Sequence, residues 1–433
     1  MTTPSGPLAG LLAAQVPSVS VAALTSPKSD LQVAGSPGCS PHTLFQAAST
    51  SKAVAALVAL ILVDQGKLKL DDSVAGHLKS WKLTDFPGLP VTLRSLLCHA
   101  GAVSISSFPG YPPKAPLPSM TQILDGLPPS ATAPVRVTGK PMTTTRYSGG
   151  GYQIVQLLLE EVTGKSMADL VTELVLRPLG MFNAQYHQPG PEEAAHAKVG
   201  GDYLPDGWRV YPELAAAGLW CTAADLARFA AGVQAAVAGQ PGAVLSQKLA
   251  KEMVTEQVPG SGWGLGLQLA GSGAGRRFGH DGRNRGYVCE FTATVAPGPA
   301  IAVMTASDQG ARVIHQLLPA IRGLLKWPDP TACVPSATLP ADPPPTPDQE
   351  AQMAAVVAGN YRTTTGTQLT LAGSGWNWRL TIGTQPPVAL EVLPDQSLSS
   401  PDVQPVRVTF TLTFPATITV TQPGSPPFSA THV

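Results

Sequence analysis

The stretch AVAALVALILV, residues 53–63, constrains the fold of this chain more than any other segment. It has the length and composition of a helix, and it is apolar on every side. Such a helix must be buried on all its faces, yet it is too short to cross a bilayer, which takes about 20 apolar residues. The sequence therefore predicts a helix over residues 49–65, ended by Gly66, at the centre of a water-soluble domain.

Strand patterns stand on either side of a helical middle. Residues 18–25 and 31–34 predict a strand pair. Strand patterns return after Gly262, in GWGLGLQLA, RRFGHDG and GYVCEFTATVAPGPAIAVMTASD, and the helix ARVIHQLLPAIRGLLK follows them. Between these ends, helices are predicted at LRSLLCHAG, YQIVQLLLEEVTG, SMADLVTELVL and TAADLARFAAGVQAAVAG. The predicted fold class is α/β (α+β), an antiparallel sheet flanked by helices with an inserted all-helical lobe over about residues 70–260.

A proline-rich segment divides the chain. Residues 329–350 have many prolines and no periodicity, which predicts a linker between a first domain over 1–328 and a second over 351–433. Apolar and polar residues alternate in the second domain, which predicts a small all-β barrel or sandwich. Its role is left open between completing the substrate pocket, mediating assembly and being an inert appendage.

Composition excludes several classes of function. The chain carries 28 basic and 28 acidic residues, only 13% of its length together, which argues against nucleic acid or an anionic membrane as partner. Its five cysteines are widely spaced without CxxC, so free thiols are expected. No metal-ligand cluster occurs, and no metal or other cofactor is expected. The N-terminus lacks the basic region of a signal peptide, which predicts a cytoplasmic protein, or a periplasmic or secreted one if a leader was removed. The oligomeric state stays open.

One motif suggests chemistry at the start of the central helix. The chain has no GxSxG, HExxH or GxxxxGK motif, but Ser49 and Lys52 form SxxK. Residues three apart on a helix share a face, so the lysine can hydrogen-bond the serine and, if burial lowers its pKa, take its proton. The alternative is that Ser49 caps the helix and Lys52 reaches water.

Two further segments supply partners for such a pair. Tyr147 lies on a glycine-rich turn before a helix, where a neighbouring lysine would lower its pKa and make it an acid or base. His280 lies in FGHDGRNRGY, between two predicted strands, where Gly279 and Gly282 suggest a close approach of backbone. For each of the two side chains alone, a structural role in the core is the alternative.

FQAASTSK, Tyr147-Ser148-Gly149 and His280-Asp281-Gly282 together resemble the motifs of the serine β-lactamase/penicillin-binding-protein superfamily in order and spacing. The likeness covers about residues 10–328 and is to the branch with class C β-lactamases, DD-carboxypeptidases, D-aminopeptidases and β-lactamase-like esterases. VTLRSLLCHAGAV, RPLGMFNA, AAAGLWCTAADLARF and GWGLGL add to it. His99, in the first of these, is expected to have a structural role at a helix end, and Trp220 and Trp263 are expected to fill core rather than line the pocket.

The resemblance implies a role for each motif residue. Ser49 would be the acylated nucleophile, Lys52 its proton acceptor, and Tyr147 the proton shuttle to the leaving group. His280 would stand where relatives have the lysine of a KTG strand. The N–H groups of Ser49 and Arg283 would form the oxyanion hole beside Gly282, and Gly149 belongs to the expected substrate-binding set.

Two departures from the family pattern affect the choice of substrate. Gly149 replaces an asparagine that reaches the amide carbonyl of a β-lactam or peptide. HDG replaces KTG, which removes a permanent cation for a substrate carboxylate unless Arg283 or Arg285 supplies one. The sequence therefore favours a carboxylesterase acting on a small-molecule substrate over a D-aminopeptidase, a DD-carboxypeptidase or a weak β-lactamase. An alternative of another class is a penicillin-binding or sensor protein without turnover.

Overall fold

The protein is described from a computed structural model that covers residues 18–26, 29, 31–36 and 38–327, and part of 359–432. In that last part the described residues are 359–363, 367–374, 377–382, 388–392, 398–399, 407–411, 417–422 and 425–432. The chain divides into two compact units, Met1–Ala337 and Thr338–Val433. The expected linker, residues 329–350, lies outside the described residues.

The first unit is built on an antiparallel sheet of six strands in the order β2-β1-β10-β9-β8-β7. In chain order, the strands of this unit are β1 (Val19–Leu24), β2 (Gln32–Gly35), β3 (Phe45–Gln46), β4 (Lys198–Val199), β5 (Asp202–Tyr203), β6 (Trp220–Cys221), β7 (Gln268–Ala270), β8 (Arg277–Asn284), β9 (Tyr287–Thr294) and β10 (Ala300–Thr305). The sheet joins strands from both ends of the unit, because β1 pairs with β10 along its whole length. The predicted antiparallel sheet is thereby confirmed.

Helices occupy the middle of the unit and flank the sheet. They are α1 (Ser51–Asp64), α2 (Leu93–Leu97), α3 (Met120–Asp125), α4 (Gly149–Thr163), α5 (Met167–Val171), α6 (Ala223–Val237), α7 (Gln247–Met253) and α8 (Gly310–Leu324). Short 3-10 turns cover Ala48–Thr50, Val74–Gly76 and Gly273–Gly275, and π turns cover Thr172–Leu176 and Leu214–Gly218. The pairs β3-β6 and β4-β5 also lie within or beside the lobe that the sequence predicts to be all-helical, so that prediction is right only in outline.

The central helix is buried as its composition requires. Every residue of α1 from Ser51 to Leu62 is buried, and Gly66 follows the helix in the left-handed conformation with φ +73°. Helix α1 packs with α6 and the other lobe helices in one large core, which includes Ala22, Phe291 and Met304 from one face of the sheet. Helix α8 covers the opposite face through a second core. The first unit therefore has three layers, with the sheet in the middle.

One predicted strand is much shorter in the structure. GWGLGLQLA forms a strand only over Gln268–Ala270. Gly262 and Gly266 have positive φ, and a Cβ on Gly264 would lie 2.2 Å from the carbonyl oxygen of Met253. These glycines let the backbone fold closely against its neighbours, which interrupts the extended conformation.

The second unit contains a closed antiparallel barrel of eight strands. They are β11 (Gly359–Thr363), β12 (Gln368–Ser374), β13 (Asn377–Ile382), β14 (Val388–Val392), β15 (Leu398–Ser399), β16 (Arg407–Thr411), β17 (Thr417–Gln422) and β18 (Ser425–His432). Strand β18 pairs with β11, for example at Tyr361 and His432, and so closes the barrel. Of the two architectures expected from the alternation, the barrel is the observed one.

Within the part of the chain that the structure describes, no helix has both the length and the apolar character needed to cross a membrane. The four cysteines in that part, namely Cys39, Cys98, Cys221 and Cys289, are free thiols, as the spacing predicts.

Candidate active site

Ser49 lies in a strained turn at the start of α1. The residue before it, Ala48, is fully buried and has a left-handed φ of +47°, which is rare for a residue with a side chain. The turn is held by Ala47, whose N–H donates to Leu219 O at 2.8 Å, and by Thr50, whose hydroxyl donates to Ala47 O at 2.7 Å. Backbone strain of this kind persists only where the surroundings impose it, and it concentrates at functional sites.

The structural alternative for this pair was that Ser49 caps the helix and Lys52 reaches water, and the structure shows neither. No side chain caps this turn or α1, and Lys52 is only 2% exposed, so it does not reach water. Its Nζ donates to Ser49 Oγ at 3.1 Å and to Ala216 O at 2.8 Å. Burial lowers the pKa of Lys52 to about 7, against an opposing effect of the Asp281 charge. An amine that is partly neutral at pH 7 can accept the proton of the serine that it contacts.

Tyr147 contacts the same two residues. It immediately precedes the Ser148 cap of α4, and its ring centroid lies 4.9 Å from Lys52 Nζ. Burial raises the pKa of Tyr147 well above its usual value, although a hydrogen bond to Ser49 acts in the opposite direction. The expectation that the lysine lowers this pKa is therefore wrong, because desolvation of the phenolate dominates. Tyr147 holds its proton at neutral pH and can donate it.

His280 approaches from the sheet. It lies on β8, is 1% exposed, and its ring centroid is 6.2 Å from that of Tyr147. Its Nδ1 hydrogen-bonds the backbone oxygen of Asp281. A carbonyl only accepts, so Nδ1 carries the proton, and Nε2 is left as an acceptor without a partner among the residues that the structure describes. Burial lowers the pKa of His280 to about 4, opposed mainly by Asp281. His280 is thus a neutral imidazole at pH 7.

Gly282 brings β8 against the serine turn. A Cβ at this position would lie 2.6 Å from Ala47 O and 3.0 Å from Ser49 N, so only glycine fits without a shift. Strand β7 pairs with β8 only over Arg277–Gly279, and the rest of β8 continues past it to the turn. This places the strand where an oxyanion hole would need it. Arg283 has an exposed side chain, and the role of its N–H stays a prediction.

The substrate-binding role expected for Gly149 stays a prediction, and the structure shows how the residue is packed. Its N–H donates to Ser106 O at 3.0 Å, and a Cβ on Gly149 would lie 2.8 Å from the ring of Phe108. The backbone donor is therefore used, and Phe108 fills the space into which a side chain would extend. The packing of the loop before α4 therefore gives a reason for glycine at this position that is independent of substrate.

The structure adds residues that the sequence patterns did not single out. The π turn Leu214–Gly218 supplies the Ala216 carbonyl to Lys52 and the Ala217 carbonyl to Asn284, whose amide also donates to Gln46 Oε1 at 2.7 Å. Backbone carbonyls have no signature of their own in a sequence. The family-like stretch AAAGLWCTAADLARF was the available signal, because it includes this turn.

The two tryptophans considered for the pocket differ. Trp220 is 1% exposed and fills core, as expected. Trp263 is half-buried, and its ring centroid lies 5.7 Å from that of Tyr147 and 5.5 Å from that of His280. Trp263 therefore borders the candidate site, which corrects the expectation for this residue.

The arrangement suits acyl transfer to Ser49. Ser49 contacts the buried amine of Lys52 and hydrogen-bonds the protonated phenol of Tyr147. A nucleophile beside a base and an acid is the arrangement that acyl transfer uses. The described residues contain no group of three or more histidine, cysteine, aspartate or glutamate side chains placed to hold a metal ion.

Comparison with known protein families gives a match over most of the chain. The model of the beta-lactamase family matches residues 8–325. Penicillin-binding protein 4 of Amycolatopsis lactamdurans is 27% identical over 288 residues, which are 61% of this chain and 72% of that protein. Protein flp of Staphylococcus aureus (strain COL) is 27% identical over 153 residues, 34% of this chain but only 29% of flp.

Solved structures show the same fold. SurE superposes with a TM-score of 0.60 at 22% identity, over 98% of each chain. The D-amino acid amidase from Ochrobactrum anthropi SV3 has a TM-score of 0.57 at 23% identity, covering 72% of this chain and 99% of its own. The octameric penicillin-binding protein homologue from Pyrococcus abyssi has a TM-score of 0.56 at 20% identity and covers 96% of each chain. The fold is that of β-lactamases and penicillin-binding proteins.

Proposed function

The chain belongs to the beta-lactamase family, and its likeness to these proteins supports its assignment as a serine hydrolase. On that premise we propose that it hydrolyses carboxylic esters through an acyl-enzyme on Ser49. The observation that carries this proposal is the contact between a buried lysine and the serine, at 3.1 Å from Nζ to Oγ. A lysine with a pKa near 7 is matched to proton transfer at neutral pH.

The proposed reaction has two steps. In acylation, Ser49 Oγ attacks the ester carbonyl as its proton passes to neutral Lys52, and Tyr147 gives its proton to the departing alcohol while Lys52 restores it. In deacylation, water attacks the acyl-enzyme, its proton returns through the same groups to Ser49 Oγ, and the carboxylic acid leaves. The N–H of Ser49 and of Arg283 would donate to the oxyanion in both steps, and each such donor is typically worth about 10²–10³ in rate.

The charge of the site supports an uncharged substrate. At pH 7 His280 is neutral, Tyr147 is protonated, and Lys52, whose pKa burial lowers to about 7, is only partly charged. The charge of Asp281, which acts on both Lys52 and His280, is negative and disfavours an anionic substrate. A substrate carboxylate would lose its hydration at such a site and would meet this negative charge. Esters of neutral acids and alcohols avoid that cost.

The test is hydrolysis of p-nitrophenyl butyrate by the purified protein and by Ser49→Ala. Turnover by the first and none by the second, at unchanged melting temperature, is the expected result. Ser107→Ala, at an exposed serine of a neighbouring loop, is the matched control and should keep full activity. Equal rates for wild type and Ser49→Ala would refute the role of Ser49.

A second candidate is hydrolysis of D-amino acid amides. It is favoured by Nε2 of His280, an acceptor without a partner that would suit an N–H donor of the substrate. The likeness to a D-amino acid amidase agrees with it at the level of the fold. Ammonia release from D-alaninamide but not from L-alaninamide, with no cleavage of the butyrate ester, would replace the esterase proposal with this one. If labelled penicillin acylates Ser49 and the acyl group is not released, the result would instead indicate a penicillin-binding protein without turnover.

A further inference from the structure

His99 binds the backbone on both sides of Tyr147. The N–H of Arg146 donates to the carbonyl oxygen of His99 at 2.7 Å. The N–H of Ser148 donates to Nδ1 of the His99 ring at 3.2 Å. The residue before Tyr147 and the residue after it are therefore fixed by a single residue that lies almost fifty positions earlier in the chain.

The imidazole of His99 also packs on the phenol. The two ring centroids are 4.3 Å apart with a 38° angle between the planes, which is a closer contact than His99 makes with Trp263, at 4.6 Å, or Tyr152, at 5.4 Å. His99 is 1% exposed, so solvent does not compete for these contacts. Two hydrogen bonds and a ring contact leave the Tyr147 side chain little freedom to turn away from Ser49.

A helix-end role alone does not account for a histidine here. His99 is the second residue after α2 and has φ +59°, the left-handed conformation that commonly ends helices. Glycine meets that requirement without strain and is the usual residue. The expected structural role is present, but the ring nitrogen that accepts from Ser148 and the ring face that meets Tyr147 are features that glycine cannot provide.

The hydrogen bonds also fix the state of the ring. Nδ1 accepts from a backbone N–H, so in the neutral imidazole the proton lies on Nε2. Burial lowers the pKa of His99 well below its usual value, and the charge of Lys52 acts in the same direction. His99 thus adds no positive charge beside Tyr147.

From this geometry we infer that His99 is a positioning residue, which holds the Tyr147 phenol against Ser49 and thereby sets the rate of proton transfer to the leaving group. The inference rests on the proposed function, because it gives His99 a role only through Tyr147. It predicts an effect on kcat rather than on KM, since these contacts of His99 act on the reaction through the position of Tyr147.

The experiment is a double-mutant cycle between His99 and Tyr147 with p-nitrophenyl butyrate as substrate. His99→Phe keeps an aromatic ring and removes the Nδ1 acceptor. We expect kcat to fall by about 10²-fold, the typical effect of a misplaced catalytic group, with KM within twofold of wild type. In the Tyr147→Phe background, the same change should lower kcat by less than twofold. Equal fold losses in the two backgrounds, or an unchanged kcat in His99→Phe, would overturn the inference.

Two amide variants keep the test valid if His99→Phe does not fold. His99→Asn places an amide oxygen near the position of Nδ1, and asparagine tolerates the left-handed conformation, so kcat should recover to within about tenfold of wild type. His99→Gln moves the amide away from Nδ1 and should be as impaired as His99→Phe. Equal kcat values for the asparagine and glutamine variants would contradict the inference. His315→Phe, at an exposed position of α8, is the control and should not change kcat.

The outcomes separate this inference from the proposed function. Loss of turnover in Ser49→Ala and Tyr147→Phe tests the proposed function alone. If both lose turnover and His99 shows no coupling to Tyr147, only the positioning role fails. If wild type acylates without turning over, the same cycle is measured on the rate of acylation by labelled penicillin, where Tyr147 would also act.

Discussion

Lys52 Nζ lies 2.8 Å from the carbonyl oxygen of Ala216, a residue 164 positions further along the chain. The carbonyl only accepts, so it holds one N–H of the amine, and the lone pair of the neutral amine can then face Ser49 Oγ at 3.1 Å. The π turn that carries Ala216 is therefore part of the proposed catalytic arrangement, through a backbone carbonyl. Its carbonyl orients the base and keeps it out of water.

The pH dependence of kcat should report Lys52. Its neutral form is the active base, and that form predominates above the pKa of about 7. The rate should therefore rise about tenfold per pH unit below pH 7 and level off above it. Burial lowers the pKa of His280 to about 4, so this residue stays neutral between pH 5 and 8. Its titration therefore causes no second change of kcat in that range. A rate that is flat from pH 5 to 8 would contradict the role of Lys52 as base.

Lys52→Arg should remove activity, although arginine carries the same positive charge as the protonated lysine. Arginine does not lose its proton in proteins, so it cannot accept one from Ser49. We expect a loss of several orders of magnitude in kcat at every pH, measured with p-nitrophenyl butyrate. Activity that recovers at high pH in this variant would show that another group serves as base.

Lys52 and Tyr147 should behave as one unit. Lys52→Ala and Tyr147→Phe should each lower kcat by several orders of magnitude, and the double variant should be little worse than either, because a broken proton path cannot be broken again. The measurement is kcat for the four proteins of the cycle, with their melting temperatures as the check on folding. Strictly multiplicative losses would indicate that the two residues act independently.

Gly282→Ala should damage the site more than the fold. The added Cβ would lie 2.6 Å from Ala47 O and 3.0 Å from Ser49 N, so the strand or the turn must move. We expect kcat to fall by about 10²-fold and stability to fall by about 1–3 kcal/mol. The control is Gly323→Ala in α8, where a Cβ meets nothing within 4 Å and should add up to about 1 kcal/mol of stability. Full activity in Gly282→Ala would contradict the close approach.

Glu213 should make stability depend on pH. It is fully buried before the Leu214–Gly218 turn, both carboxyl oxygens are without partners, and burial raises its pKa to about 8. The unfolded side chain loses its proton near pH 4.3. Between these values the folded state binds the extra proton, so this group lowers the stability of the fold as pH rises from about 4.3 to 8.

Glu213→Gln removes that dependence. At pH 8 it should be more stable than wild type by on the order of a few kcal/mol, with a smaller difference at pH 5. Chemical unfolding at the two pH values measures it. Asp202→Asn, at an exposed position of β5, is the control and should show no such trend. A difference that does not change with pH would mean that Glu213 is ionised in the fold.

Much of the fold follows from local sequence patterns. Local patterns predict the central helix α1, the strand pair β1-β2, the strands β9 and β10 and the helix α6, and the structure has each of them there. These features depend on residues within a few positions of one another, so periodicity and turn chemistry are sufficient to locate them.

The sequence also determined which residues are candidates for chemistry, but it did so through motifs and their family resemblance. The structure brings Ser49, Lys52, Tyr147 and His280 together from the helical core, the lobe and the sheet. It gives Gly149 a packing role, which no local pattern indicates, because Phe108 reaches it from a separate loop.

Only the tertiary structure decided the protonation states and the supports of the site. The pKa of Lys52, of Tyr147 and of His280 is set mainly by burial, which depends on atoms supplied by distant segments. The Ala216 carbonyl and the His99 ring likewise act on residues far away in the chain. A sequence specifies these side chains, but desolvation and hydrogen bonding exist only once packing has removed the water around them.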